Sequence, residues 1–303
     1  MLGLKKCLTS LLLGSLLSSG ALLAAAPVHV SAADPANVDF TEVVTLGADL
    51  SQSQRDQMFS TFGVSEDKDG IKVLEVTNQE ERQYLKGLVP DKQIGSRSIS
   101  SVYVKILDSG SGINVKTKNI TFVNEQAYAN ALVTAEIKDA DVYAAAPFPV
   151  SGTAALTGLF KAYETATGKD IPEEAKKVAT EELVTTSEIG EETGEEKGVS
   201  ELVSRVKEQV VEENLSDPEE IKKVVDDVAK DMDIDLTPEQ IDRIVELMQK
   251  ISGLDLDIGT LKNQLEDVRS KLKDYFGGEE SSGAWQKVVD FLTGLWNTVK
   301  GYF

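Results

Sequence analysis

Residues 141–158, with the sequence DVYAAAPFPVSGTAALTG, carry the clearest secondary-structure signal of the chain. The first six form a short apolar run that is typical of a buried strand. Proline and glycine then interrupt regular structure over residues 147–152, which predicts a turn. From Thr153 a stretch rich in small residues predicts a helix that ends at Gly168. A strand that leads through a turn into a helix is typical of a layered α/β domain.

The segments on the N-terminal side of this stretch alternate between predicted strands and helices. Ser51 is a candidate N-cap for one helix, and Thr77 with Glu80 forms a capping box that starts the next. The glycine-rich turn 108–112 lies between two alternating runs and predicts a β-hairpin. We therefore expect the α+β or α/β class, with an N-terminal mixed-sheet α/β layer domain over residues 33–188. The predicted strands cover residues 38–46, 71–77, 99–107, 113–123 and 141–146, and the helices between them cover 51–63, 77–88 and 125–137.

The start of the helix at Thr153 is a candidate anion-binding site. Backbone N–H groups at a helix N-terminus attract negative charge, and Ser151, Gly152 and Thr153 would hold the anion there. The alternative, which we favour, is that Ser151 or Thr153 caps the helix and that the small residues let it pack closely on the sheet. The stretch lacks the GK[ST] ending of a phosphate-binding P-loop and the G-x-S-x-G pattern of a nucleophile turn.

Beyond residue 170 the chain is acidic, and its apolar residues recur at helical spacing. Residues 170–283 hold 32 acidic and 14 basic side chains. Residues 189–198 are rich in Glu and Gly and predict a flexible linker. Residues 199–276 predict an acidic helical region, because their apolar positions repeat every three or four residues. Acidic helices need partners for these apolar stripes, so we expect a helical bundle or long helical hairpins.

Residues 1–32 predict a cleaved export signal with a basic start and an uncharged apolar core. Cleavage is expected after Ala32, with Ala33 as the alternative, and an uncleaved anchor helix remains a second interpretation. The single histidine and the single cysteine of the chain, His29 and Cys7, both lie in this segment. A mature chain without them could not use Ser–His or Cys–His catalysis or zinc sites built on these residues. We expect no cofactor, and no transmembrane span in the mature chain.

The last residues differ from the acidic helices before them. Residues 277–283 predict a second linker, and residues 284–303 predict an amphipathic terminal helix. Trp285, Leu292 and Trp296 share its apolar face and are candidate contacts with a cell-envelope or protein partner. The alternative is that this helix packs back onto the helical region or the α/β domain.

The acidity of the chain argues against two classes of ligand. A net charge of −20 repels phosphate, so we expect no nucleic-acid partner. Asp231, Asp233 and Asp235 have the spacing of the first ligands of an EF-hand loop, but Leu236 stands where the loop requires glycine. We therefore predict no calcium site there and no metal site elsewhere.

Several short motifs between residues 45 and 185 carry a family resemblance. They are TLGADL at residues 45–50, TNQEE at 77–81, SSVYV at 100–104, YANAL at 128–132 and VSGTAALTG at 150–158, with shorter matches at 54–55, 62–64, 84–85, 119–121 and 146–148. Together they resemble the YpuA-like family of exported proteins of unknown function from spore-forming Gram-positive bacteria. The resemblance implies location and organisation, but it brings no activity and no catalytic residues.

Two hypotheses about function follow. The favoured one is a secreted, non-enzymatic protein, associated with the cell envelope, that binds a partner or a surface. The alternative is a carboxylate-dependent hydrolase acting on cell-wall glycan, since two acids flanking a groove suffice for that chemistry. The sequence nominates no such pair, because Glu75, Glu80, Glu81 and Glu136 are only acids near predicted strand or helix ends.

Overall fold

The computed structural model describes residues 41–67 and 69–276, with the side chains of residues 272–276 left aside. All described residues belong to one compact unit. The predicted export signal, the linker 277–283 and the terminal helix 284–303 lie outside the described residues.

Five described strands form one mixed sheet, which confirms the predicted fold class. The sheet order is β2-β1-β3-β5-β4. β1 and β2 are parallel, as are β4 and β5, whereas β3 is antiparallel to both of its neighbours. α1 connects the first parallel pair and α4 the second, as crossover connections between parallel strands require. The strands are β1 (Glu42–Gly47), β2 (Ile71–Val76), β3 (Ser101–Ile106), β4 (Ile113–Ile120) and β5 (Ala140–Val150).

The hairpin predicted between β3 and β4 is wrong, because β5 lies between these two strands. The glycine-rich turn instead passes around the start of β5. The Asp139 carboxylate accepts hydrogen bonds from the N–H groups of Gly110 and Gly112 at 2.9 and 2.8 Å. Gly110 and Gly112 have φ values of 88° and 72°, which glycine adopts without strain. The turn thus displaces β4 by one strand position rather than folding it back onto β3.

The helices begin largely where the sequence places their caps. Ser51 and Thr77 each form a capping box at the predicted starts. At two further helix starts Thr237 forms another capping box and Asp217 accepts two N–H groups. None of the described helices combines the length and the apolar character needed to cross a bilayer. The helices are α1 (Gln52–Phe62), α2 (Asn78–Leu85), α3 (Asp91–Ile94), α4 (Glu125–Thr134), α5 (Thr153–Thr167), α6 (Glu173–Thr193), α7 (Glu196–Glu212), α8 (Pro218–Asp231), α9 (Pro238–Ser252) and α10 (Ile258–Phe276).

The two faces of the sheet pack against different helices. One face, which we call the α5 face, packs against α4 and α5 and carries Val43, Val102 and Val142. The opposite face, the α1 face, packs against α1 and carries Tyr103 and Tyr143. The strands alternate between the two faces because successive side chains of a strand point to opposite sides.

The small residues of α5 let this helix lie directly on the sheet, as the favoured interpretation of the sequence expected. The Thr45 hydroxyl of β1 donates to the Gly158 carbonyl at 3.2 Å. A Cβ atom at Gly158 would lie 2.9 Å from the Thr45 methyl carbon. The close approach fixes α5 above β1 and β3.

The flexible linker predicted over residues 189–198 is instead a tight junction between α6 and α7. Ile189 and Gly190 are buried within α6. A Cβ atom at Gly190 would lie 2.8 Å from the Glu196 Cα atom. The glycine there permits a close helix crossing, a role that composition alone cannot distinguish from flexibility.

A buried ion pair joins the helical region to the sheet region. Lys207 of α7 and Glu182 of α6 are both fully buried, with Nζ and Oε1 2.7 Å apart. The same Nζ donates to the Asn130 carbonyl of α4 at 2.8 Å, and the Thr134 hydroxyl of α4 donates to Glu182. One hydrophobic cluster accordingly runs from the sheet into α6–α10. The described chain therefore has a continuous core across the change in composition near residue 170.

Candidate functional site

The N-terminus of α5 faces a polar cleft of about 310 Å³, which we call the α5 cleft. Gly152 precedes the helix with φ 102°, a conformation that side chains other than glycine rarely adopt. A Cβ atom at Gly152 would lie 2.6 Å from the Ile120 side chain. The Gly152 carbonyl accepts a hydrogen bond from the buried Tyr128 hydroxyl at 3.1 Å. Lining residues of the cleft include Glu81, Lys92, Arg97, Ser100, Ser151 and Thr153.

Neither Ser151 nor Thr153 caps α5, contrary to the interpretation favoured from the sequence. The Ser151 hydroxyl donates to the Gln93 carbonyl at 2.6 Å. The Thr153 hydroxyl donates to Glu81 Oε2 at 2.9 Å. The side chain that caps the helix comes from elsewhere, because Ser100 Oγ accepts the Ala155 N–H at 2.9 Å. The N-terminus of α5 is thus held by residues distant in the sequence.

Glu81 is an acid beside the start of α5 that the sequence did not single out. Its side chain is fully buried, and Oε1 has no hydrogen-bond partner among the described residues. Burial raises the pKa of Glu81, although the hydrogen bond from Thr153 and the nearby Ser98 and Asn78 oppose that change. The acid thus lies where a helix N-terminus favours negative charge, yet in surroundings that disfavour its ionised form.

The predicted anion site at Ser151, Gly152 and Thr153 stays a prediction. The structure brings these three residues together at one helix start, as expected. Both hydroxyl groups already donate to acceptors of the protein. An anion in the α5 cleft would also approach the Glu81 carboxyl group. These contacts show that Ser151 and Thr153 connect α5 to α2 and to the segment around Gln93.

Of the other three acids near predicted strand or helix ends, Glu75 and Glu80 have contacts that fix local structure. Glu75 forms an ion pair with Arg55 at 2.6 Å. Glu80 accepts the Thr77 N–H within the capping box and pairs with Lys161 at 2.7 Å. Glu136 lies at the turn that follows α4, with φ 56°. Each contact fixes a strand end or a helix end.

A second and larger cleft, of about 450 Å³, lies at the β4 side of the sheet, and we call it the aromatic cleft. Phe62 at the end of α1 stacks on Tyr103 of β3, with ring centroids 6.2 Å apart. The same ring meets Tyr143 of β5 edge to face at 5.6 Å. These offset and edge-on arrangements are the favourable ones for aromatic pairs. Three separate elements therefore supply one group of aromatic rings.

Polar side chains adjoin these rings in an order that the strand register sets. Tyr103 pairs with Tyr143, and Tyr143 pairs with Lys116 on the edge strand β4. In the next row Asp141 pairs with Asn114, whose amide donates to Asp141 Oδ1 at 2.6 Å. Burial raises the pKa of Tyr103, and the hydrogen bond that its hydroxyl donates to Glu42 and the negative charge of Asp141 reinforce that change.

The candidate contact residues Trp285, Leu292 and Trp296 lie outside the described residues. No group of three or more Asp, Glu, His or Cys suited to a metal ion occurs in the part of the chain that the structure describes. Sequence reasoning missed the aromatic cleft because its rings come from residues about 40 positions apart. The alternation around Tyr103 and Tyr143 was a usable signal, but only with the strand order already known.

Comparison with known proteins agrees with the resemblance found in the sequence. Residues 46–268 match the family described as "Protein of unknown function (DUF1002)". The uncharacterized protein YpuA of Bacillus subtilis (strain 168) is 42% identical over 288 residues, which cover 95% of this chain and 97% of that protein. No solved structure matches the chain. The chain therefore belongs to the DUF1002 family, whose function is unknown.

Proposed function

We propose that this protein is an exported binding protein of the cell envelope that acts by recognition rather than by catalysis. The observation that carries the proposal is the aromatic cleft, in which Phe62, Tyr103 and Tyr143 adjoin Asn114, Lys116 and Asp141. A concave site with aromatic walls and a few oriented polar groups is the usual form of a ligand site.

Export and envelope association are supported by the two ends of the chain. The N-terminal segment has the composition of an export signal. The C-terminal segment 284–303 has apolar residues at helical spacing in its sequence, among them Trp285 and Trp296. In this proposal the terminal segment attaches the protein to the envelope, and the cleft recognises the ligand.

Neither of the two clefts described above offers the pair of acids that hydrolysis of cell-wall glycan requires. A glycosidase places two carboxyl groups across its cleft, about 5–10 Å apart. The aromatic cleft has one acid among its lining residues, Asp141, and the α5 cleft has one, Glu81. Each of these acids already accepts a hydrogen bond within the protein.

Cosedimentation tests the proposal. The mature protein is mixed with purified cell-wall sacculi and, separately, with anionic liposomes, with and without residues 284–303. The Tyr143→Ser variant tests the cleft. Tyr84→Ser is the matched control, because Tyr84 is the exposed tyrosine of α2 and does not line the aromatic cleft.

The proposal expects the intact protein to sediment with sacculi. Tyr143→Ser should reduce that binding, Tyr84→Ser should not, and truncation should weaken it by removing the attachment. Binding to neither sacculi nor liposomes would contradict envelope association. Equal binding by Tyr143→Ser and the unmodified protein would contradict a role for the cleft.

A further inference from the structure

We propose that the aromatic cleft binds a neutral saccharide, one or two sugar rings of a glycan chain. The inference rests on the proposed function and adds the chemical class of its ligand. It depends on three features of the described residues: the aromatic rings, the balance of charge and the supply of hydrogen-bonding groups.

The rings provide the apolar contact that a sugar needs. One face of a pyranose ring carries C–H groups, and these pack on aromatic side chains. Tyr103 and Tyr143 are half-buried neighbours on paired strands, so both remain within reach of a ligand. Phe62 contacts both rings and restricts their rotation. A platform held in this way costs little conformational entropy when a ligand binds.

The charges of the cleft balance, which favours an uncharged ligand. Its charged lining residues are Asp141, Lys116 and Lys271. The Lys271 ammonium group pairs with Asp267 at 2.7 Å. One acid and one base remain, on adjacent rows of the sheet. A phosphate ligand would meet Asp141 as well as the net negative charge of the whole chain.

The polar groups match the edge of a sugar, where each hydroxyl both donates and accepts hydrogen bonds. The Asn114 amide and the Asp141 carboxylate offer acceptors, and the exposed Lys116 ammonium group offers donors.

The test uses a soluble neutral probe, the tetramer of N-acetylglucosamine, with the mature protein. Saturation-transfer NMR detects its binding, and titration calorimetry gives the affinity. Tyr143→Ser should weaken binding about tenfold, the upper end of what one aromatic contact contributes. Lys116→Ala should weaken it about threefold, because one hydrogen bond from an exposed side chain is lost. Tyr84→Ser should leave the affinity within about twofold.

Lys116 keeps the test decisive if Tyr143→Ser fails to fold, because this side chain is exposed on an edge strand. Circular dichroism on each variant checks the fold. The inference is overturned if the tetramer does not bind, or if neither cleft variant changes its affinity. Sacculus binding that depends on Tyr143 but resists competition by the tetramer would overturn the saccharide and leave the proposed function standing. If the protein bound neither sacculi nor the tetramer, both the saccharide inference and the proposed function would be overturned.

Discussion

Two fully buried acids, Glu182 and Glu81, lie in different surroundings: Glu182 has a buried counter-charge, whereas Glu81 lies beside a cleft. Glu182 lies where α4, α6 and α7 meet, with the Lys207 ammonium group 2.7 Å away. Glu81 lies at the N-terminus of α5 beside a cleft. The Thr153 hydroxyl donates to one of its oxygens, and the other has no hydrogen bond among the described residues. Burial lowers the pKa of Lys207, but the adjacent Glu182 opposes that effect.

Glu182 thus belongs to a junction between helices, whereas Glu81 lies under the wall of an open cleft. A buried ion pair with every group engaged specifies how helices meet, because any other arrangement would leave a charge unpaired. A buried acid beside a cleft keeps a free acceptor at the cost of a raised pKa. The following predictions test this comparison in order of decreasing effect.

Replacing Lys207 should produce the largest loss of stability. Lys207→Met leaves the Glu182 carboxylate buried without its counter-charge, which costs about 3–5 kcal/mol of the free energy of unfolding. Urea unfolding followed by circular dichroism measures the change. The double variant Glu182→Leu with Lys207→Met should recover most of the loss, since an apolar pair needs no charge compensation. A single variant as stable as the unmodified protein would contradict the role of the junction.

Gly152→Ala should lower the free energy of unfolding by about 2 kcal/mol or more. The alanine would need a left-handed backbone conformation, and its Cβ atom would clash with Ile120. Gly63→Ala is the matched control. Gly63 has a positive φ of 71°, but no atom lies within 4 Å of the added Cβ position. The control should therefore show the backbone cost alone, about 1 kcal/mol. Equal losses in the two variants would mean that Ile120 moves aside freely.

Ser100→Ala should cost about 1 kcal/mol, because it removes the acceptor of the Ala155 N–H at the start of α5. Thermal unfolding of the two proteins measures the loss. Ser53→Ala, at an exposed position of α1, should change stability by less than about 0.5 kcal/mol. A negligible effect at Ser100 would show that α5 does not depend on this cap.

Glu81→Gln should have the smallest effect on stability and the most distinctive dependence on pH. Burial raises the pKa of Glu81 above its ordinary value of 4.5. Between the ordinary and the raised value the folded state binds more protons than the unfolded state, so the unmodified protein loses stability as pH rises. The advantage of Glu81→Gln over the unmodified protein should therefore grow through that window. Urea unfolding between pH 3 and 7 measures this difference in the free energy of unfolding.

Glu80, the neighbour of Glu81 on α2, supplies a control whose pH dependence has the opposite sign. Burial raises the pKa of Glu80, but hydrogen bonds from Lys161 and Thr77 outweigh it, so the pKa lies below 4.5. The unmodified protein gains stability relative to Glu80→Gln as pH rises from the lowered pKa towards 4.5. The stability of each variant relative to the unmodified protein should change with pH in opposite directions for Glu81→Gln and Glu80→Gln. A change in the same direction would contradict the opposite pKa shifts of the two acids.

Local signals in the sequence predicted the helix starts and most strand positions. Ser51, Thr77 and Thr237 act on N–H groups within three residues, so their role is visible in the sequence alone. Strand order depends instead on contacts such as that of Asp139 with Gly110, 29 residues apart. No local pattern distinguishes that turn from a hairpin.

The candidate sites were predicted less well, for the same reason. Ser151, Gly152 and Thr153 were found because they mark a helix start. The partner that defines their surroundings, Glu81, lies 72 residues from Thr153. The aromatic cleft likewise requires β5 to insert beside β3 before Tyr143 can meet Tyr103. Long-range pairing thus creates the chemistry at both clefts.

The late position of β5 in the sequence also sets the order in which the chain can fold. Among the described strands, β4 pairs with β5 alone, and β5 follows it only after α4. A chain that emerges from its N-terminus, whether from a ribosome or from an export channel, presents β4 before its partner exists. Closure of the sheet must await residue 150, and the docking of α6 and α7 on α4 comes later still. We expect refolding dominated by this distant pairing, with β4 the segment most exposed to misassociation in the interval.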